Sequence, residues 1–241
     1  MLLFLIIIII LTIIFKYSYD LFQFNLNPDI QHIQNPNIHI IQDKIKDKSP
    51  IIIHNIIDDN NIFQNFTYEK IINDNPGYII NHNNKFISLD TFKNKNSQIA
   101  IHMNQNLVND LNINNSLNNI FYYFNNNLIC NQKNYLSFFK GNNAISLTQN
   151  KNYGLILFQI YNNSTLYLFH PKHKNDIINK ENKIIKKWAY KINLKPNIII
   201  HIPSQWYYFY ESNDSSIIST ITYDTLFTFP FNSINSHFSL L

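Results

Sequence analysis

The sequence predicts a mainly β domain decorated with helices, a sandwich or barrel, behind an apolar N-terminal segment. Three observations carry that prediction. From about Tyr135 onward, short β-rich segments follow one another between turns. Ahead of them, two stretches place apolar residues at helical spacing. The first fifteen residues, MLLFLIIIIILTIIF, contain one polar side chain, Thr12. Helices followed by a run of strands point to a two-layered or closed β architecture.

The apolar opening is shorter than the roughly 20 residues a bilayer requires. Continuing through Tyr17, Tyr19, Leu21 and Phe22 lengthens it and supplies aromatics for an interfacial belt. A cleavable signal peptide needs a basic start and a small-residue cleavage site, and this stretch has neither. The expectation is an uncleaved, single-pass membrane anchor over residues 1–22. A signal peptide is the second reading. A buried N-terminal helix is the third, because the run has no polar face. Lys16 after the span favours a cytoplasmic domain. Asn-x-Ser/Thr triplets at Asn65, Asn114, Asn162, Asn163 and Asn213 would suit a lumenal one, but so Asn-rich a chain produces them by chance. The side of the membrane stays open.

Residues 23–49 are polar and Asn/Gln-rich and read as a stalk, leaving 50–241 for the domain. A strand is expected at 50–57 (PIIIHNII), then a helix over 61–73 and another over 106–124. Strands follow at 144–147, 154–161, 165–169, 197–202, 207–211 and 216–223, with one helix over 175–190 between them. Asn162-Asn163 reads as a hairpin turn, since Asn tolerates positive φ.

Composition narrows the chemistry. Asn and Ile make up roughly a third of the 241 residues, the signature of AT-rich codons. The net charge is +4, and every basic group is lysine. The densest basic stretch, Lys180 to Lys191, reads as a solvated helix face. Without arginine, bidentate phosphate or guanine recognition is missing, so no nucleic-acid partner is expected. The single Cys130 forms no internal disulfide and is expected to be a small buried residue. Three glycines leave no Gly-rich phosphate loop.

The order of segments resembles the cupin-like JmjC family of Fe(II)/2-oxoglutarate oxygenases over about residues 50–225. The matching features are Gly141, Ser146, Gln159, the segment 165–169 followed by Pro171, the sequence IPSQW at 202–206, and the Ser-rich strand 216–223. The resemblance implies a double-stranded β-helix (jelly roll), preceded by helices. It also implies a metal triad of His, Asp and His, and these positions fall on Gln149, Lys151 and Tyr208. A one-residue shift of the first two gives Thr148 and Asn150. The basic residue that would pair with 2-oxoglutarate falls near Ser164. Non-haem iron sites need two imidazoles and a carboxylate on one face.

The expectation is therefore a cupin-like domain without cofactor, binding a protein or small molecule through a pocket of Ser146, Gln159, Ser164, Trp206 and Tyr208. One alternative is an oxygenase that uses Fe(II) and 2-oxoglutarate with His170, His173 and His201 as ligands. Another is a carbohydrate- or nucleotide-binding jelly roll that stacks its ligand on residues 206–210.

Overall fold

Isoleucine-rich segments with no polar alternation are expected where both faces of a strand are covered, and that is where the chain puts them. The computed structural model describes residues 1–55, 63, 66–82, 85–94, 99–230 and 232. Fourteen strands are β1 (Gln31–Gln34), β2 (Ile51–His54), β3 (Ile79–His82), β4 (Lys85–Ser88), β5 (Ile99–Asn104), β6 (Ile129–Lys140), β7 (Asn143–Ala144), β8 (Thr148–Gln149), β9 (Gly154–Tyr161), β10 (Ser164–Phe169), β11 (Tyr190–Leu194), β12 (Ile198–Pro203), β13 (Tyr207–Ser212) and β14 (Ser216–Thr225). The α-helices are α1 (Leu2–Phe22), α2 (Ile38–Lys46), α3 (Tyr68–Asp74), α4 (Leu89–Asn94), α5 (Gln105–Asp110), α6 (Asn114–Phe121), α7 (Lys174–Ile177) and α8 (Asn182–Ile185).

The protein is mainly β. A seven-stranded sheet runs β1-β2-β12-β9-β14-β6-β5, and a five-stranded one runs β11-β10-β13-β7 with β8 also on β13. A small β3–β4 pair stands apart. Within the two large sheets every pairing is antiparallel except β1 with β2.

The larger sheet is covered twice. Ile156, Phe158, Ile160, Ile199 and Ile221 pack with Leu107, Leu117 and Ile120 of the helical layer. Leu155, Leu157, Ile200, Ile202 and Ile218 pack with Leu166, Leu168, Tyr208 and Tyr210 of the smaller sheet. The period-2 alternation of the pleat assigns consecutive residues to opposite layers. Each buried aliphatic or aromatic side chain contributes roughly 1.5–3 kcal/mol.

Caps set the helix starts. Asn37, Thr67 and Asn104 each accept a hydrogen bond from the amide three residues on, which satisfies a donor the helix leaves free. Corners are made almost without glycine. Among the described residues nine other than glycine have positive φ, and six are asparagines: 35, 55, 112, 162, 179 and 197. Only Gly141 does so among the glycines.

Several expectations change. The stretch 23–49 is not a free stalk: β1 pairs along β2, and Ile41 and Ile45 of α2 are buried. The helix expected over 106–124 is two, because Asn112 turns left-handed (φ 54°) after α5. That over 175–190 breaks at Asn179 (φ 61°), and its end becomes strand β11, which the sequence did not announce. Asn162 does take positive φ, at 57°. It turns a corner between sheets and not a hairpin, for β9 and β10 belong to different sheets. The strand at 144–147 splits into β7 and β8 around Ile145, whose N–H donates to the Tyr210 carbonyl. Cys130 is exposed, at the start of β6. The expected strand at 50–57 is seen as β2, with its last two positions outside the described residues, as is much of the start of the helix expected over 61–73.

α1 is a 21-residue helix of mean hydropathy 2.5, long and apolar enough to cross a membrane. Its last turns are not free: Tyr17 and Leu21, one helical turn apart, are 5% and 3% exposed. Both line the cavity described next.

Candidate functional site

The site is organised by one asparagine. Buried Asn150 follows β8, and its amide donates to the carbonyls of Ile202 (2.9 Å) and Pro203 (3.0 Å). Its N–H donates to the Trp206 carbonyl, and its own carbonyl accepts from Gln205 N–H, both at 2.8 Å. This clamp holds the Pro203–Trp206 turn, in which Gln205 takes φ 69°, against the end of β8. Register then sets Gln149 opposite Tyr207 and Thr148 opposite Tyr208. Gln149 and Lys151 flank the clamp and open onto a cavity, while Tyr208 lies deeper between the sheets, 1% exposed.

The cavity has a volume of about 580 Å³. One wall is the start of β6, which contributes Asn131, Lys133 and Tyr135 at every second residue; β14 adds Thr222 and Asp224. Gln149 and Gln205 bond amide to amide at 3.0 Å on another side. Met103, held at φ 48° with its N–H on Ser137 Oγ, also lines it. Tyr17, Leu21 and Phe22 of α1 line another part of it.

The charges are unequal. Among the described residues of its lining, Lys133, Lys151 and Lys174 face Asp224 as the only carboxylate. Asp224 is 1% exposed and accepts from Asn152 Nδ2 (2.7 Å), Tyr153 N (3.0 Å), Thr228 Oγ1 (3.1 Å) and Asn232 Nδ2 (2.8 Å). Its oxygens are therefore committed to the scaffold. The three lysines form no ion pair among the described residues.

Two contacts fasten α1 to this end of the domain. Ser204 Oγ donates to the Leu21 carbonyl at 2.8 Å, and Lys48 Nζ donates to the Asp20 carbonyl at 2.7 Å. Both satisfy carbonyls that the end of a helix leaves without an internal partner. Lys48 also stands 4.0 Å from the centre of the Tyr153 ring. Burial lowers its pKa to about 8.

None of Ser146, Gln159, Ser164, Trp206 and Tyr208, from which a pocket is expected, lines this cavity. Ser146 is exposed. Gln159 is buried and donates to the Tyr161 carbonyl, its own Oε1 lacking a partner among the described residues. Ser164 bonds Ser216 across 3.3 Å. Trp206 packs edge-on to His170, with ring centres 5.1 Å apart. Tyr208 is held neutral by burial, far above the ordinary phenol range.

The histidines do not converge. His170 Nδ1 accepts from Lys172 N–H, so its Nε2 carries the proton and donates to the Asn25 carbonyl at 2.6 Å. His173 lies 3.5 Å from Asp176, one turn along the same segment. His201 points into the helical layer, its Nε2 2.8 Å from the Tyr223 hydroxyl and its ring stacked on Phe124. Burial drops its pKa to about 3. No group of three or more His, Cys, Asp or Glu placed to hold a metal occurs among the described residues. At Gln149, Lys151 and Tyr208 the side chains are an amide, an ammonium and a neutral phenol. That donor set does not fit Fe(II), which takes imidazole and carboxylate here, and the ammonium repels a cation.

The sequence did not point to Asn150 as a clamp, to Asp224, or to Lys133 as a cavity wall. The four-residue spacing of Tyr17 and Leu21 was a usable signal for a docked face. The sequence matches no protein-family model and no curated protein.

Proposed function

We propose that this is a membrane-anchored, cupin-like (JmjC-related) double-stranded β-helix domain that binds a ligand and does not carry out 2-oxoglutarate oxygenation. The strand order supports the fold. Counting β7 and β8 as one, the eight strands from β6 to β14 interleave between two sheets as β12-β9-β14-β6 and β11-β10-β13-β7. A jelly roll requires that interleaving. The apolar length of α1 supports the anchor.

One observation carries the loss of oxygenase chemistry. The positions matching the family's metal triad hold Gln149, Lys151 and Tyr208, and among the described residues no imidazole lines the cavity onto which Gln149 and Lys151 open. The alternative ligand set is disfavoured, because His170 and His201 belong to separate packing environments. A stacking site on residues 206–210 is disfavoured because those aromatics are at most 5% exposed.

The test uses the full-length protein in detergent. Iron is added and removed, metal content is measured, and Fe(II)-dependent 2-oxoglutarate turnover is assayed. The expected result is no stoichiometric iron and no turnover. Retained iron together with turnover overturns the proposal. Membrane fractions washed with alkaline carbonate are expected to keep the chain, and its release would remove the anchor.

A further inference from the structure

We infer that the cavity at the domain's membrane-facing end takes an anionic phosphate headgroup, presented to it by the bilayer into which α1 inserts. This rests on the reading of α1 as an anchor and of the cavity as a binding site, and it names the ligand class of that site.

The first argument is distance. Residues 2–16 span only about 22 Å as a helix, less than the roughly 30 Å hydrocarbon core. Beyond them Tyr17 and Leu21 are buried against the domain, and Leu21 and Asp20 are fastened by Ser204 and Lys48. No free linker separates the span from the β domain. An anchor this short draws the docked end of the domain into the headgroup layer. The cavity lies at that end, since Tyr17, Leu21 and Phe22 form part of its wall.

The second argument is charge. Lys133, Lys151 and Lys174 line the cavity without ion pairs among the described residues, and Asp224 is fully engaged by its four donors. Lysine binds phosphate as a point charge and needs no bidentate geometry, which fits a chain without arginine. The third argument is the neutral lining. Asn131, Gln149, Thr222 and Tyr135 offer amide and hydroxyl groups suited to the polar remainder of a headgroup. A volume of about 580 Å³ admits a ligand of that size.

The same chemistry would accept a soluble phosphate ester, so the experiment has separate arms. Full-length protein in neutral detergent is mixed with phosphatidylinositol 4-phosphate or phosphatidylcholine at about 0.15 M salt, and retained lipid is counted by native mass spectrometry. A parallel arm uses soluble inositol 1,4-bisphosphate. Each lysine near an anionic surface is worth about fivefold in binding. The phosphoinositide is expected to be retained at least tenfold better than phosphatidylcholine. The triple variant Lys133→Gln, Lys151→Gln, Lys174→Gln is expected to lose that preference. Lys183→Gln, Lys191→Gln, Lys195→Gln, which removes the same charge from exposed positions elsewhere, is expected to keep it.

Equal retention of both lipids, or equal loss in both triple variants, overturns the headgroup site. Binding of the soluble bisphosphate as tight as that of the lipid overturns presentation by the bilayer and makes the ligand a free phosphate ester. All six lysines are exposed, and near-ultraviolet circular dichroism checks that each variant is folded. Failure of the underlying reading is separately visible, because iron-dependent turnover or release by carbonate is measured without any lipid in competition.

Discussion

The Ser204 hydroxyl donates to the main-chain carbonyl of Leu21 across 2.8 Å, joining two residues 183 positions apart in a buried contact. It couples the turn that ends β12 to the last turn of α1. Removing it with Ser204→Ala leaves a buried carbonyl without its donor, at a cost of about 1–3 kcal/mol. Hydrogen exchange at residues 20–23 is expected to quicken, while the β9 amides stay protected. Unchanged exchange at the helix end would show that the contact holds nothing.

Gly154 matters for space. A Cβ built there would strike the Tyr223 ring, and that ring is 1% exposed and paired with His201. Gly154→Ala therefore forces a core aromatic to move, costing about 1–3 kcal/mol or more. Thermal unfolding is expected to shift down by several degrees. Tyr223→Leu in the same chain is expected to recover part of the loss, because it removes the colliding atoms.

His201 makes stability fall in acid. Its folded pKa, about 3, lies below the usual 6.5 because burial penalises the charged form. The unfolded chain takes up a proton below 6.5 that the folded chain refuses until about 3. Its contribution is therefore intact above pH 6.5 and declines by about 1.4 kcal/mol per pH unit below it. Denaturant midpoints between pH 6.5 and 4 are expected to drop, and His201→Gln, which keeps a partner for Tyr223, is expected to flatten that limb.

Lys48 acts at the other end of the scale. Burial lowers its pKa from 10.5 to about 8. Between those values the unfolded chain holds a proton the folded chain has released, so this group's contribution to stability rises with pH. Tyr68, Tyr153 and Tyr223, whose phenols burial pushes up, lose stability once the pH passes about 10. A shallow rise from pH 8 to about 10 followed by a fall is expected. Lys48→Met is expected to abolish the rise and leave the fall.

What the sequence made legible depended on local pattern. The runs GLILFQIY and IIIHIP are buried on both faces, so their lack of alternation identified β9 and β12 closely. Asn162 was readable as a corner because Asn adopts positive φ. Which strands that corner joined was not, since two residues between strands do not reveal their partners. Asn112 and Asn179 ended helices that apolar spacing alone would continue. The cavity was the least legible. Lys133 and Thr222 face each other across the β6–β14 ladder, 89 residues apart. Asn150 was noticed only as a failed metal ligand, because its hydrogen bonds go to main-chain groups that no motif records.

Three glycines in 241 residues would ordinarily be too few to turn a two-sheet chain at so many corners. Here asparagine holds six of the nine left-handed positions outside glycine among the described residues. The topology is thus uncoupled from the supply of glycine codons. Mutational pressure toward A and T can recast the corners one at a time without disturbing the packed strands between them. A fold built this way can keep its architecture while its sequence drifts beyond the reach of alignment.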